Sequence, residues 1–397
     1  MTIRLPDSDA LSRWGADLVV GRPPGELTVA NPRWAVETLT RRGLAGLAWT
    51  AVQSGDGVCS PEMMALLEPV HAFQTVRGHL ALEIADEVAH SLTAAGVEHL
   101  FFKGISLLRQ GMYTAGERRL ADIDLLVHPT DAPRAVSVLT SEGFIPWSPW
   151  SEERLDWVSA FTLERPGVAE ELTVPLDLHW GTGYHRLRSG TSGVPGQEGG
   201  TGEDPLWLDA DRAHALPDPA AEMMMIADHL FKHLRVTTHL LGFADLVRLL
   251  ERLPPGGDAE ALLGAHVRRR GIERRFRRLM DLLSQSFGAA PESFSQLPPM
   301  LRPTGRDLPS ELELASLVLD HGVPAGRGSG LGLRWKMGGD PVADLVDTLF
   351  PGSEWLAARY PDRSRVAALF GYLQEVLAWV SGRGRSPLSP NQEFEGG

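Results

Sequence analysis

Two short segments hold the residue types that chemistry needs: FFKGISLL at 101–108 and LADIDLLVH at 120–128. In the second, Leu120, Ile123, Leu125, Leu126 and Val127 mark a strand. Its period of two sends Asp122 and Asp124 to one face, about 7 Å apart along the backbone. Two carboxylates so placed can grip one or two Mg²⁺ ions, because Mg²⁺ takes oxygen ligands and keeps water and phosphate in its shell. A third carboxylate, Asp177, lies in LTVPLDLHW at 172–180. On a neighbouring antiparallel strand it would stand about 4.8 Å away, with His179 sharing its face. Three acids of this kind suit two-metal nucleotidyl transfer, in which ions about 3.5–4 Å apart lower the pKa of an acceptor oxygen and neutralise a leaving pyrophosphate. Mn²⁺ is the alternative ion.

Upstream, Lys103-Gly104 stands where a strand passes into a helix. The backbone N–H groups of Ile105 and Ser106, with the helix dipole behind them, would face phosphate oxygens. Gly104 permits close approach, Lys103 offsets triphosphate charge, and the Ser106 hydroxyl can donate to it. Arg118, four residues before Asp122, is a second candidate phosphate or acceptor ligand. Lys103, Lys232 and Lys336 are the only lysines among 38 basic residues, so a lysine at the strand-to-helix passage marks a place where a compact point charge is wanted.

The elements that must position these groups are legible in outline. Residues 8–70 carry helical patterns, with Asn31-Pro32 as a cap followed by proline in the first turn. A further helix runs from His71 to about Ala95 and stops at Gly96. VEHLFF at 97–102 reads as a buried strand, Ile105 to Met112 as a helix, Leu120 to His128 as a strand, and Thr130 to Glu142 as a helix capped by Thr130. VSAFTLER at 158–165 and 172–180 form a hairpin across Pro166-Gly167, with Pro175 at a bulge or edge. The glycine-rich stretch 181–205 reads as a mobile loop, and helices follow at about 219–235, 239–253, 258–270 and 273–287. A short helix at 309–320, a final amphipathic one at 364–382 and a disordered tail complete the chain. The expected division is a helical N-terminal segment at 1–95, a catalytic core at 96–216, a helical C-terminal domain at 217–383 and the tail at 384–397.

These segments resemble the DNA polymerase β-like nucleotidyltransferase superfamily. More closely, they resemble the bacterial uncharacterised nucleotidyltransferase family with a Lys-Gly start. The likeness rests on LTAAGVEHLFFKGISLL, ERRLADIDLLV, VPLDLHW and the helix around MMMIADHLFKHL, and spans roughly 35–380. It implies an α+β fold with a small mixed sheet, flanking helices and a helical C-terminal domain. It also implies that Asp122, Asp124 and Asp177 are metal ligands and that Lys103-Gly104 replaces the superfamily's usual Gly-Ser pair. The 18 residues from Gly104 to Asp122 exceed the shorter spacing of many superfamily members.

Other features are weaker signals. His229 and His233, four apart on a helix, share a face and are geometrically able to bind zinc. Leu230 follows the first histidine where the metalloprotease pattern requires Glu, so these residues read as cleft-lining or packing groups. Asp245 reads as a cap or partner for them. The 268–278 segment packs seven arginines into eleven positions and reads as a solvated face rather than an RNA strip. The net charge of −13 argues against sequence-independent nucleic-acid binding and makes a tRNA acceptor the less favoured one. The lone Cys59 excludes an internal disulfide, and neither a signal segment nor a membrane-spanning run is present, which reads as a cytoplasmic protein. The expectation is Mg²⁺-dependent transfer of a nucleoside monophosphate from an NTP, ATP foremost, to a small molecule, peptide or protein. The rivals are a non-catalytic nucleotide- or partner-binding module and a DxD glycosyltransferase.

Overall fold

The structure, a computed structural model, describes residues 7–147, 160–166, 172–180, 210–211, 214–233, 240–253, 257–270, 272–304, 364, 367 and 369–374. The expected loop at 181–205, the helix at 309–320 and the tail at 384–397 lie outside these residues, as does most of 364–382.

The N-terminal part is helical: α1 (Asp7–Val19), α2 (Pro32–Arg41), α3 (Ala45–Ser54) and the long α4 (Pro61–Ala94). Between them β1 (Gly25–Glu26) and β2 (Gly57–Val58) make a short parallel pair. Asn31 caps α2, accepting from the Trp34 N–H at 3.0 Å, and Ser60 caps α4 through Met63. The two helices expected on either side of residue 70 are one helix running through Pro69. One missing N–H costs a helix a single bond, which the long packed face of α4 outweighs. Gly96, at φ +68°, ends α4 in the left-handed conformation that glycine adopts without strain.

The sheet region follows as β3 (His99–Phe102), α5 (Lys103–Arg109), β4 (Ile123–Val127), α6 (Ala132–Ser141), β5 (Ile145–Pro146), β6 (Ala160–Glu164) and β7 (Leu176–His179). The five strands form one mixed sheet in the order β3-β4-β7-β6-β5. All neighbours are antiparallel except β4 and β7, whose residues pair as Asp124↔Asp177 and Leu126↔His179. The expected antiparallel neighbour for Asp124 is thus a parallel one. β7 reaches β4 only after α6, β5 and β6 have intervened, and a crossover of that length permits parallel pairing. Pro175 is at neither an edge nor a bulge: it precedes the central strand β7, and its carbonyl accepts from Ile123 N–H at 2.8 Å. Thr130 does not cap α6, which starts after a 3-10 turn at Pro129–Asp131 with no side-chain cap.

Four more helices close the fold: α7 (Pro219–His233), α8 (Leu241–Arg252), α9 (Gly257–Arg270) and α10 (Glu273–Gln285). The architecture is α+β. Two buried apolar clusters lie on opposite faces of the sheet. Phe101, Ile123, Leu125, Leu176 and Leu178 face the second half of α4 and α6. Leu100, Phe102 and Leu126 face a larger cluster that joins α1–α3 to α7–α10. Strand alternation puts Asp124, Asp177 and His179 on this second face, toward the helices from both ends of the chain. No helix among the described residues is long and apolar enough to cross a membrane.

Candidate active site

The parallel register sets Asp124 directly beside Asp177 and brings His179 onto the same face one step along. One ligand atom from each of Asp124, Asp177 and His179 lies within 4.8 Å of the others, a donor set able to hold a divalent cation. Asp122 precedes the first residue of β4 and stays outside this tightest group, although its charge couples to Asp124 and Asp177. The expected trio of Asp122, Asp124 and Asp177 is therefore arranged as a pair with His179 at its centre and Asp122 at its mouth. The reason is local: the strand begins at Ile123, so Asp122 is not locked into the pleat.

Asp124 is nearly inaccessible, at 3 % exposure. Burial alone would raise its pKa, but the Lys103 ammonium, 2.6 Å from Oδ1, and the hydrogen bond from His179 Nε2, at 3.1 Å, hold it well below the ordinary carboxylate range. Asp122 moves the opposite way, up to about 7, through burial and then repulsion from Asp124, partly offset by Lys103. Asp177 accepts from the Thr162 hydroxyl at 2.7 Å, so β6 orients one of its oxygens. His179 stacks edge-on against Phe102 at 5.1 Å, which fixes the ring beside Asp124.

Lys103 opens α5 with φ +55°, a left-handed conformation rare for a residue with a Cβ. The ordinary tenant of such a turn is glycine; here a lysine occupies it and glycine comes next. Gly104 is needed for another reason. A Cβ there would strike the Arg118 guanidinium and come within 2.6 Å of Leu120 Cδ2. Arg118 crosses the start of α5 and is held by Asp245 of α8 through Nε at 3.0 Å and Nη2 at 2.8 Å, while Tyr113 Oη donates to the same acid at 2.7 Å. The pair raises the Arg118 pKa against the opposing effect of burial. Arg118 thus stands next to the Lys103-Gly104 turn, and Asp245, expected to serve the histidines, serves Arg118 instead.

The long segment between α5 and β4 is wedged against α3 and α4 at three glycines. A Cβ on Gly78 would come within 2.5 Å of the Ala115 carbonyl oxygen and one on Gly46 within 2.5 Å of that of Glu117, while one on Gly116 would overlap His71 and Thr75. Arg77 of α4 donates to the Ala121 carbonyl at 2.9 Å, next to Asp122.

One expected site residue is turned away from the carboxylates. The Ser106 hydroxyl is fully buried and donates to Glu222 Oε2 of α7 at 3.0 Å, because the helical period turns it away from the sheet face. His229 is half-buried on α7, and His233 closes that helix with its side chain outside the described residues. Glu222 and Thr162 are positioning groups absent from the sequence reading, which names Asp245 but with other partners. Glu222 leaves a faint signal as an acid inside the apolar helical run AAEMMMIA, and Asp245 as one inside LGFADLVRLL.

The family model described as an uncharacterised nucleotidyltransferase matches residues 28–288, which includes every described group of this site. No curated protein and no solved structure matches the chain.

Proposed function

Because the chain belongs to this family of uncharacterised nucleotidyltransferases, we propose that it transfers a nucleoside monophosphate from an NTP, with ATP the first candidate, to an acceptor hydroxyl, amine or phosphate. The observation that carries this reading is one juxtaposition. Phe102, the last residue before the Lys103-Gly104 turn, pairs across the sheet with Asp124, which pairs on its other side with Asp177. A phosphate-facing helix start and two metal-binding carboxylates therefore share one sheet face at adjacent strands.

The residues fit Mg²⁺ or Mn²⁺. Asp124 and Asp177 offer the oxygen donors that both prefer, Asp122 can add a third, and the Asp124 carboxylate is already ionised. When bound, the ions lower the pKa of the acceptor and neutralise the developing pyrophosphate charge. The protein's own groups do the rest. Lys103 and the first amides of α5 steady the β- and γ-phosphates. His179 holds Asp124 in one rotamer, as Thr162 holds Asp177. Asp177 takes the acceptor proton as the acceptor atom bonds to the α-phosphorus and the bond to the bridging oxygen breaks, releasing pyrophosphate. Arg118, fixed by Asp245, faces the same turn and contributes positive charge where phosphate would lie.

The test is incubation with each α-³²P-labelled NTP and Mg²⁺ in a cell extract, following pyrophosphate release and acceptors heavier by one NMP. Label transfer that requires Asp124 supports the reading. Nucleotide binding with no pyrophosphate from any extract contradicts it.

A further inference from the structure

We propose that Glu222 is a positioning residue for the nucleotide turn: its carboxyl, delivered by α7, clasps the side chains of α5 and fixes the helix start from which Lys103 reaches phosphate. This rests on the nucleotidyl-transfer reading and adds to it a residue from the helical half of the chain.

α5 has an incomplete start. α5 leaves β3 directly, and Phe102 at its N-cap position has no side chain able to accept a hydrogen bond. The first N–H groups of any helix need an acceptor, ordinarily a Ser, Thr, Asp or Asn at that position. At the same place Lys103 adopts φ +55°. A residue with a Cβ is strained in that conformation and keeps it only where its surroundings enforce it.

Glu222 supplies the enforcement, gripping α5 by its side chains where no N-cap side chain holds the first turn. It is fully buried, and its Oε2 takes hydrogen bonds from Ser106 Oγ at 3.0 Å and from Gln110 Nε2 at 2.8 Å, with the Lys103 backbone close enough to favour its charged form. Gln110 Nε2 also donates to Ser106 Oγ at 2.8 Å, which closes the network. Lys103, Ser106 and Gln110 follow one another at helical spacing along one face of α5. One carboxyl therefore gathers donors over two turns of the helix that presents the phosphate-facing amides. Its neighbours Met223, Met224 and Met225 are all buried. An apolar side chain at 222 would pack there without the cost of burying an acid, so the acid is present for the bonds it accepts.

The test is equilibrium binding of Mg²⁺ with a non-hydrolysable NTP analogue to the full chain, alongside Mn²⁺ binding without nucleotide. Glu222→Leu is expected to weaken analogue binding tenfold or more while Mn²⁺ binding is unchanged. Glu222→Gln, which keeps an acceptor oxygen, should stay within about threefold of wild type, since a retained hydrogen bond preserves most of its contribution. The Ser106→Ala/Gln110→Ala double variant leaves the acid in place but removes both side-chain donors, and should weaken binding at least threefold. Wild-type binding in that double variant overturns the proposal even if Glu222→Leu fails to fold, as does equal loss in the Gln and Leu variants. A wild-type chain that binds no NTP overturns the nucleotidyl-transfer reading and this proposal together. Binding by the wild type and equally by all variants overturns this proposal alone.

Discussion

The Lys103 ammonium sits 2.6 Å from Oδ1 of Asp124, one of the carboxylates able to hold a divalent cation. In the metal-free chain this lysine is the cation that keeps Asp124, repelled by Asp122, ionised in a buried place. Both partners are well covered, with side chains 14 % and 3 % exposed, so removing one leaves an uncompensated charge. Lys103→Met is expected to destabilise the metal-free protein by about 3 kcal/mol. Added Mn²⁺ should restore part of that loss and bind more tightly than to wild type without nucleotide. Urea unfolding with and without Mn²⁺ measures the first effect, and electron paramagnetic resonance of free Mn²⁺ the second.

Asp124 is the carboxylate around which Lys103, His179 and Asp177 are arranged. Asp124→Asn should reduce NMP transfer on the order of 10³-fold or more, equivalent to about 4 kcal/mol of transition-state stabilisation. Circular dichroism should show the helices intact. Residual transfer within tenfold of wild type would contradict its role.

Gly104 leaves no room for a side chain, and the group that fills the space is pinned. Arg118 is bound twice by Asp245, so it cannot withdraw cheaply from a new Cβ. Gly104→Ala should therefore cost about 1–3 kcal/mol, the usual range for overpacking. Asp245→Asn, which breaks the buried pair from the other side, should cost about 3–5 kcal/mol. The midpoint of denaturant unfolding reads both.

Glu222 gives the protein a pH dependence of definite sign. Burial raises its pKa to about 8, helped by nearby Asp245 and opposed by the Ser106 and Gln110 bonds. The folded state then holds a proton that the unfolded chain releases near pH 4–5. Its contribution is fully present below that range and is lost as the pH climbs toward 8, with a slope of at most about 1.4 kcal/mol per pH unit. Glu222→Gln should flatten the decline in unfolding free energy between pH 5 and 8. An unchanged slope would show that the carboxyl is ionised throughout.

What local pattern controls was readable before the structure. Alternation in IDLLV and LDLH marked β4 and β7, and the acids on them followed from the period of two. The relative direction of those strands was not readable, because it depends on how α6, β5 and β6 bring the chain back. The same holds for Glu222 and Asp245. Each lies more than a hundred residues from its partner, and a single acid in an apolar helix looks alike whether it clamps a distant turn or only tolerates burial. The direction of the Ser106 hydroxyl is hidden from the sequence for a related reason. Its place after Lys103-Gly104 fitted a phosphate ligand, but a helix start offers only part of its circumference to the site, and Ser106 faces α7.

Arg22 donates to the carbonyls of Gly288 and Phe287, bridging 266 and 265 residues, and the apolar cluster beneath it unites α1–α3 with α7–α10. During synthesis the opening helices must therefore wait, with greasy surfaces bare, until the ribosome has delivered nearly three hundred residues. Contacts so remote in sequence are slow to form, and chains awaiting them are prone to stick to one another. A fragment ending after β7 would hold every side chain assigned to the chemistry and still lack the partners that bury its own beginning. Expression trials should keep both ends.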